Sequence, residues 1–197
     1  MNVVIVDYGA SNLFSLRAAF ERLGSNVSII NKNFTGNPDL LVMPGVGSFG
    51  QAASSIEPIR KDIIDYINDG GTFLGICLGL HLMFDSSEEG SGRGLGLLHG
   101  NVKRIRFGKV PHMGWSETKL ISESNLWDGL KETEYFYYAH SYMPEYSGKW
   151  IKAVAEYGEI IPAFIELDNI IGVQFHPEKS GNPGQKFLKN VLRMVKG

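Results

Sequence analysis

Apolar residues follow two rhythms along this chain. In the first half they come as short runs over residues 2–7, 27–31, 40–43 and 72–76, each leading into glycine, proline or polar residues. Runs of this length read as buried strands. Between them the spacing becomes helical. Leu13, Leu16, Phe20 and Leu23 mark one face, Ser11 or Asn12 can cap its start, and Gly24 stops it. Residues 56–69 read as another helix, with Pro58 near its first turn. Strands alternating with helices predict a parallel sheet with helices on both faces.

A polar stretch, Ser86-Ser-Glu-Glu-Gly-Ser-Gly-Arg-Gly94, predicts a flexible loop, and the rhythm changes after it. Residues 101–107 alternate as a strand, with Arg104 and Arg106 on a wet face. Residues 135–140 form a strand dense in aromatics. Residues 151–157, 162–167 and 170–175 read as short strands joined by tight turns. Phe187, Leu188, Val191 and Leu192 stripe a closing helix over 183–195. This half predicts antiparallel strands grafted on the parallel sheet. No internal repeat or linker divides the chain, so residues 1–197 read as a single domain.

Composition narrows the class. A chain of 197 residues with 43% hydrophobic and 20% charged content can bury a sizeable core. A net charge of -2 gives no reason to expect a nucleic-acid partner. The first apolar run has no basic region before it and meets Asp7, which reads as a first strand and not a signal peptide. No apolar stretch approaches the roughly 20 residues needed to span a membrane. A single cysteine cannot form an internal disulfide, so a reducing, cytoplasmic setting is expected.

That cysteine lies in Gly75-Ile-Cys77-Leu-Gly79, between the apolar run of 72–76 and a helix-capable stretch, 78–84. Strand, sharp turn and helix put the thiol at the tip of the turn, with the first helical amides pointing at it. That geometry lowers a thiol pKa and exposes the sulfur. It is the cysteine counterpart of the serine nucleophile elbow. A lone cysteine is otherwise a small buried hydrophobe. The flanking glycines and a distant His176-Pro-Glu178, at the end of another apolar strand, weigh against that reading. Cys77 can serve as nucleophile, His176 as its base and Glu178 as the group that orients the base. The glycine-rich segment Pro44 to Gly50 follows the run of 40–43. Amides at Gly45, Val46 and Gly47, with that of Leu78, can form an oxyanion hole. All these segments sit at strand ends, where open α/β sheets place their clefts. The assembly suits acyl transfer from an ester, thioester or amide.

Other residues carry less. His99 and His112 have no ligand-like spacing with each other or with His140, so no metal is expected. His81 reads as a helix-surface or pocket residue. Trp127 and Trp150 read as packing aromatics, and Trp115, after a Pro-His-Met-Gly loop, as a candidate interface anchor.

Over essentially its whole length the chain resembles the class I glutamine amidotransferases, and within them the glutaminase subunits of imidazole glycerol phosphate synthase. Gly75 to Gly79 resembles the nucleophile elbow, and Gly172-Val-Gln-Phe-His-Pro-Glu-Lys-Ser180 the His/Glu segment. Val6 to Asn12, Pro44 to Phe49, Pro111 to Trp115 and Tyr138 to Tyr142 resemble the subunit's own motifs. The resemblance implies a flavodoxin-like three-layer α/β fold with a mostly parallel central sheet. It implies glutamine hydrolysis through a Cys77 thioester, without a cofactor, and transfer of ammonia to a cyclase subunit in histidine biosynthesis. It places Glu89 on the amino group of glutamine, His140, Ser141 and Tyr142 at its carboxylate end, and Asn12, Trp115, Tyr137 and Lys179 against the cyclase. His81 stands where the family usually has a glutamine that touches substrate. Relatives that feed ammonia to a surface-sugar synthase, and a free-standing γ-glutamyl hydrolase, remain as alternatives.

Overall fold

The computed structural model describes residues 1–197 except 10–12, 32, 33, 35, 146, 147 and 197. Its elements are β1 (Asn2–Val6), α1 (Leu13–Arg22), β2 (Asn26–Ile30), β3 (Leu40–Met43), α2 (Phe49–Ile56), α3 (Arg60–Asn68), β4 (Thr72–Ile76), α4 (Leu78–His81), β5 (Ser86–Ser87) and β6 (Asn101–Arg104). There follow β7 (His112–Leu120), β8 (Thr133–His140), β9 (Tyr142–Pro144), β10 (Ile151–Glu156), β11 (Ile160–Leu167), β12 (Ile170–Val173) and α5 (Gly181–Lys196).

Among the described residues, nine strands form one sheet in the order β2-β1-β3-β4-β12-β11-β10-β7-β8, and β5-β6-β9 form a small second one. From β2 across to β12 the ladders are parallel. From β12 out to β8 they are antiparallel.

Alternate side chains of a strand leave opposite faces, so a strand that is apolar throughout needs cover on both. Val3, Ile5, Leu40, Val42, Leu74 and Ile76 pack with Leu16 and Phe20 of α1 and Phe187 and Val191 of α5. Leu41, Met43 and Phe73 pack on the other side with Ala52 and Ile56 of α2 and Ile63 and Tyr66 of α3. Two cores and three layers result, and the carboxyl ends of β1, β3, β4 and β12 line up along one edge.

Several elements differ from the sequence-based expectation: the stretch read as a loop over 86–94 opens with β5, and the strand read over 101–107 ends at Arg104. The helix read over 56–69 is two helices joined by a 3-10 turn at Glu57–Ile59, and the first, α2, begins inside the glycine-rich segment. The helix after Cys77 has four residues, not seven. The Pro-His-Met-Gly segment read as a loop opens the nine-residue strand β7. No helix among the described residues is long and apolar enough to cross a membrane.

Candidate active site

Cys77 sits between β4 and α4 with φ 48 and ψ -99, a positive-φ conformation that side chains other than glycine rarely adopt. Its backbone is held from both sides: its N–H donates to the Val173 carbonyl at 2.7 Å, and its carbonyl accepts from the His81 amide at 3.0 Å. Close packing makes the glycines obligatory. A Cβ on Gly79 would lie 2.1 Å from the Met43 carbonyl oxygen. A Cβ on Gly45 would lie 2.2 Å from the Ile76 carbonyl oxygen and 2.7 Å from the Cys77 Cβ. The oxyanion segment therefore rests directly on the elbow. Leu78, the first residue of α4, has an amide that no intrahelical acceptor can reach.

His176 follows β12, and its Nδ1 meets Glu178 Oε1 at 2.9 Å with both side chains buried. A neutral imidazole in this bond carries its proton on Nδ1 and leaves Nε2 free to take one. Nε2 is buried without a hydrogen-bond partner. Burial alone would lower this pKa, but Cys77 and Glu178 outweigh it and push it up to about 10.

The structure brings nearly all predicted residues to one place. A cavity of ≈ 180 Å³ beside Cys77 is lined by Gly45, Val46, Gly47 and Leu78, and by His81, Glu89, His140, Ser141 and Tyr142. Glu89 Oε2 accepts the Phe49 amide at 3.0 Å, capping α2 where Ser48 makes no side-chain cap. Burial raises the Glu89 carboxyl, and that hydrogen bond opposes the shift. A larger concavity of ≈ 540 Å³, lined in part by Asp39, Asp62, Asp65 and Asp69, lies at the amino ends of β3 and β4, away from Cys77.

His81 is buried, not on a helix surface. Its Nε2 lies 2.9 Å from Gln174 Oε1, and Gln174 Nε2 lies 3.5 Å from the Cys77 sulfur. Burial pushes His81 down to about 4 against the bond to Gln174, so it is neutral near pH 7. Gln174 was not singled out from sequence, nor was Ser180. The Ser180 hydroxyl donates to the His176 carbonyl at 2.6 Å and accepts the Tyr137 amide at 3.0 Å, tying the base to β8. His112 and His140, unrelated by spacing, touch at 3.0 Å. Only their cross-strand register, His112 opposite His140, reveals it. Among the described residues, no group of three or more His, Cys, Asp or Glu is arranged to hold a metal ion.

Trp115 is exposed on β7 and meets Tyr137 edge to face at 6.2 Å, while Lys179 Nζ lies 5.8 Å from the centre of the Tyr137 ring. Met113, on the same strand face as Trp115, lines the cavity beside Cys77. These three predicted interface residues thus form one surface beside the cavity mouth. Asn12 lies outside the described residues.

The groups gathered around Cys77 suit acyl transfer. The model for glutamine amidotransferase class-I matches residues 4–195, and the chain belongs to that family of cysteine-dependent amidotransferases. Within it, the chain is 43% identical to the imidazole glycerol phosphate synthase subunit HisH of Methanothermobacter thermautotrophicus, with 98% of this chain and 99% of that protein covered. It is likewise 43% identical to the Sulfolobus acidocaldarius subunit HisH, over 100% of both chains. Among solved structures, PurLQS from Thermotoga maritima superposes with a TM-score of 0.79 at 20% identity, covering 98% of each chain. That likeness is one of fold.

Proposed function

We propose that this chain is the glutaminase subunit of an imidazole glycerol phosphate synthase. It hydrolyses L-glutamine to glutamate and ammonia, and passes the ammonia to a cyclase subunit that makes imidazole glycerol phosphate and aminoimidazole carboxamide ribotide in histidine biosynthesis. A lone thiol of this kind belongs in the reducing cytoplasm. The observation that carries the reading is the buried His176–Glu178 pair coupled electrostatically to Cys77, with Cys77 on a cavity beside the exposed Trp115 surface. Near-complete coverage by the HisH relatives supports it.

The Cys77 thiolate attacks the side-chain amide carbon, and the oxygen gains charge facing the amides at Gly45 to Gly47 and Leu78. The C–N bond breaks as His176 gives its proton to the leaving nitrogen, and ammonia departs from a thioester. Water then yields a proton to His176, its oxygen attacks the thioester carbon, and the C–S bond breaks to release glutamate. Glu89 receives the substrate's amino group, and residues 140–142 its carboxylate end.

The test measures glutamate release and ammonia incorporation by the chain alone and with a histidine-pathway cyclase and its nucleotide ligand. The isolated chain is expected to be nearly silent, and the complete system orders of magnitude faster. Full activity alone would mark a free-standing hydrolase. Failure to bind that cyclase, with tight binding to a sugar-pathway synthase, would overturn the pathway.

A further inference from the structure

The buried polar face of β7 leads from the exposed Trp115 strand into the substrate cavity. Three hydrogen bonds line up along it. His140 Nδ1 lies 2.8 Å from the Tyr142 carbonyl, His140 Nε2 lies 3.0 Å from His112 Nδ1, and His112 Nε2 lies 2.7 Å from Ser116 Oγ. A carbonyl only accepts, so His140 carries its proton on Nδ1. Its Nε2 then accepts, which puts the His112 proton on Nδ1. His112 Nε2 in turn accepts from the Ser116 hydroxyl. One proton arrangement satisfies the whole chain with both rings neutral.

The surroundings hold the rings neutral. His112 is stacked between Tyr138 at 4.8 Å and Tyr157 at 3.9 Å. Burial lowers both imidazoles, and His81, His112 and His176 oppose a charge on His140 further. The consequence reaches the cavity through the turn that follows β8. Ser141 and Tyr142 line that cavity. The Ser141 carbonyl accepts from the Ile105 amide at 3.0 Å, and the Tyr142 carbonyl from His140, with His81 as its second imidazole neighbour. Both carbonyls of the turn are thereby committed. A carbonyl released from its donor here would repel a carboxylate brought beside it.

We propose that His112 is a positioning residue for the carboxylate end of glutamine: it fixes the His140 tautomer, which holds the Ser141–Tyr142 turn in its substrate-receiving form. This rests on the glutaminase reading. Ser116 anchors the far end, next to Trp115, so the chain also ties the partner-facing strand to the substrate turn.

Glutaminase kinetics in the complex with cyclase and its nucleotide ligand test it, using His112→Phe and His112→Asn. Phenylalanine keeps the stacked ring and removes the donor, whereas asparagine can supply an N–H near the Nδ1 position. His112→Phe is expected to raise KM for glutamine about tenfold, the scale of one unsatisfied buried group, with kcat little changed. His112→Asn should recover most of that loss. In the wild-type chain, nitrogen NMR of the histidine rings should show Nδ1–H tautomers for both His112 and His140, a readout that needs no variant to fold. A wild-type-like KM in His112→Phe, a loss confined to kcat, an equal loss in His112→Asn, or an Nε2–H tautomer on His140 would each overturn the proposal. A wild-type complex without glutaminase activity would instead sink the reading it rests on, and the tautomers would still decide the geometry.

Discussion

The parallel and antiparallel halves of the sheet hold their functional groups by different means. In the parallel half, β1, β3 and β4 are apolar on both faces, and the nucleophile is placed by backbone geometry. Cys77 is pinned at φ 48, with Gly45 and Gly79 in backbone contact around it. In the outer antiparallel half, β7 turns His112, Ser116 and Thr118 inward and Met113, Trp115 and Glu117 outward. There side chains do the placing, through His112 to His140 and Thr118 to Tyr138 at 2.6 Å. A thiol that must meet a carbonyl carbon within a few tenths of an ångström belongs on the stiffer support. A cavity wall that continues into the exposed Trp115 strand is better served by hydrogen bonds that can be remade.

Substitutions can break or sharpen that contrast. Cys77→Ala is expected to cut glutamine hydrolysis on the order of 10⁴-fold or more while leaving the fold intact. Cys77→Gly should be equally dead yet more stable than Cys77→Ala by about 1 kcal/mol, because glycine relieves the positive φ. Glutamate assays and thermal unfolding read both, and equal stabilities would refute backbone strain at the elbow. Gly79→Ala should destabilise by roughly 3 kcal/mol or more, since its Cβ would meet the Met43 carbonyl. Soluble, fully stable protein would show that the parallel half yields more readily than argued.

On the antiparallel side the effects shrink. Trp115→Ala should weaken partner binding by roughly 2 kcal/mol and uncouple ammonia release from its use, with basal hydrolysis unchanged. Titration calorimetry with the cyclase decides this, and unaltered affinity would remove Trp115 from the interface. Thr118→Val leaves the Tyr138 hydroxyl buried without its partner and should cost about 1–3 kcal/mol in denaturant unfolding. No measurable loss would mean that the inward polar face contributes little.

The smallest effect concerns His81. Its pKa falls from 6.5 unfolded to about 4 folded, so the unfolded chain binds the extra proton between those values. Stability from this group is complete above pH 6.5 and is lost as pH falls through that window. His81→Gln should keep activity within a few-fold, since an amide can also donate to Gln174. It should flatten the acid limb by at most one proton, about 1.4 kcal/mol per pH unit. An unchanged acid limb would reassign that titration to His112 or His140.

What reading the chain missed follows from the same contrast. The strands of the parallel half were legible because burial on both faces leaves an unbroken apolar run. Strand β7 was not, because its inward positions are polar and its outward ones include Met113 and Trp115, which inverts the usual pattern. Helix α2 was hidden by Gly47, Ser48 and Gly50, whose local signals favour a turn. The cap of α2 comes from Glu89, forty residues away.

By itself the sequence singled out Cys77, His176 and Glu178 as candidate nucleophile, base and orienter. Each is tied to a motif a few residues long: glycines around Cys77, and a proline between His176 and Glu178. Local sterics narrow what such short motifs can form. Only the tertiary structure decided that Gln174 links His81 to Cys77, that Ser180 ties the base to β8, and that His112 reaches His140. Most of those bonds join residues 28 to 97 positions apart, and the other belongs to a residue whose local motif has other readings. A buried polar group must find a partner, but the chain's order does not say which one, and strand register and layer packing make that choice.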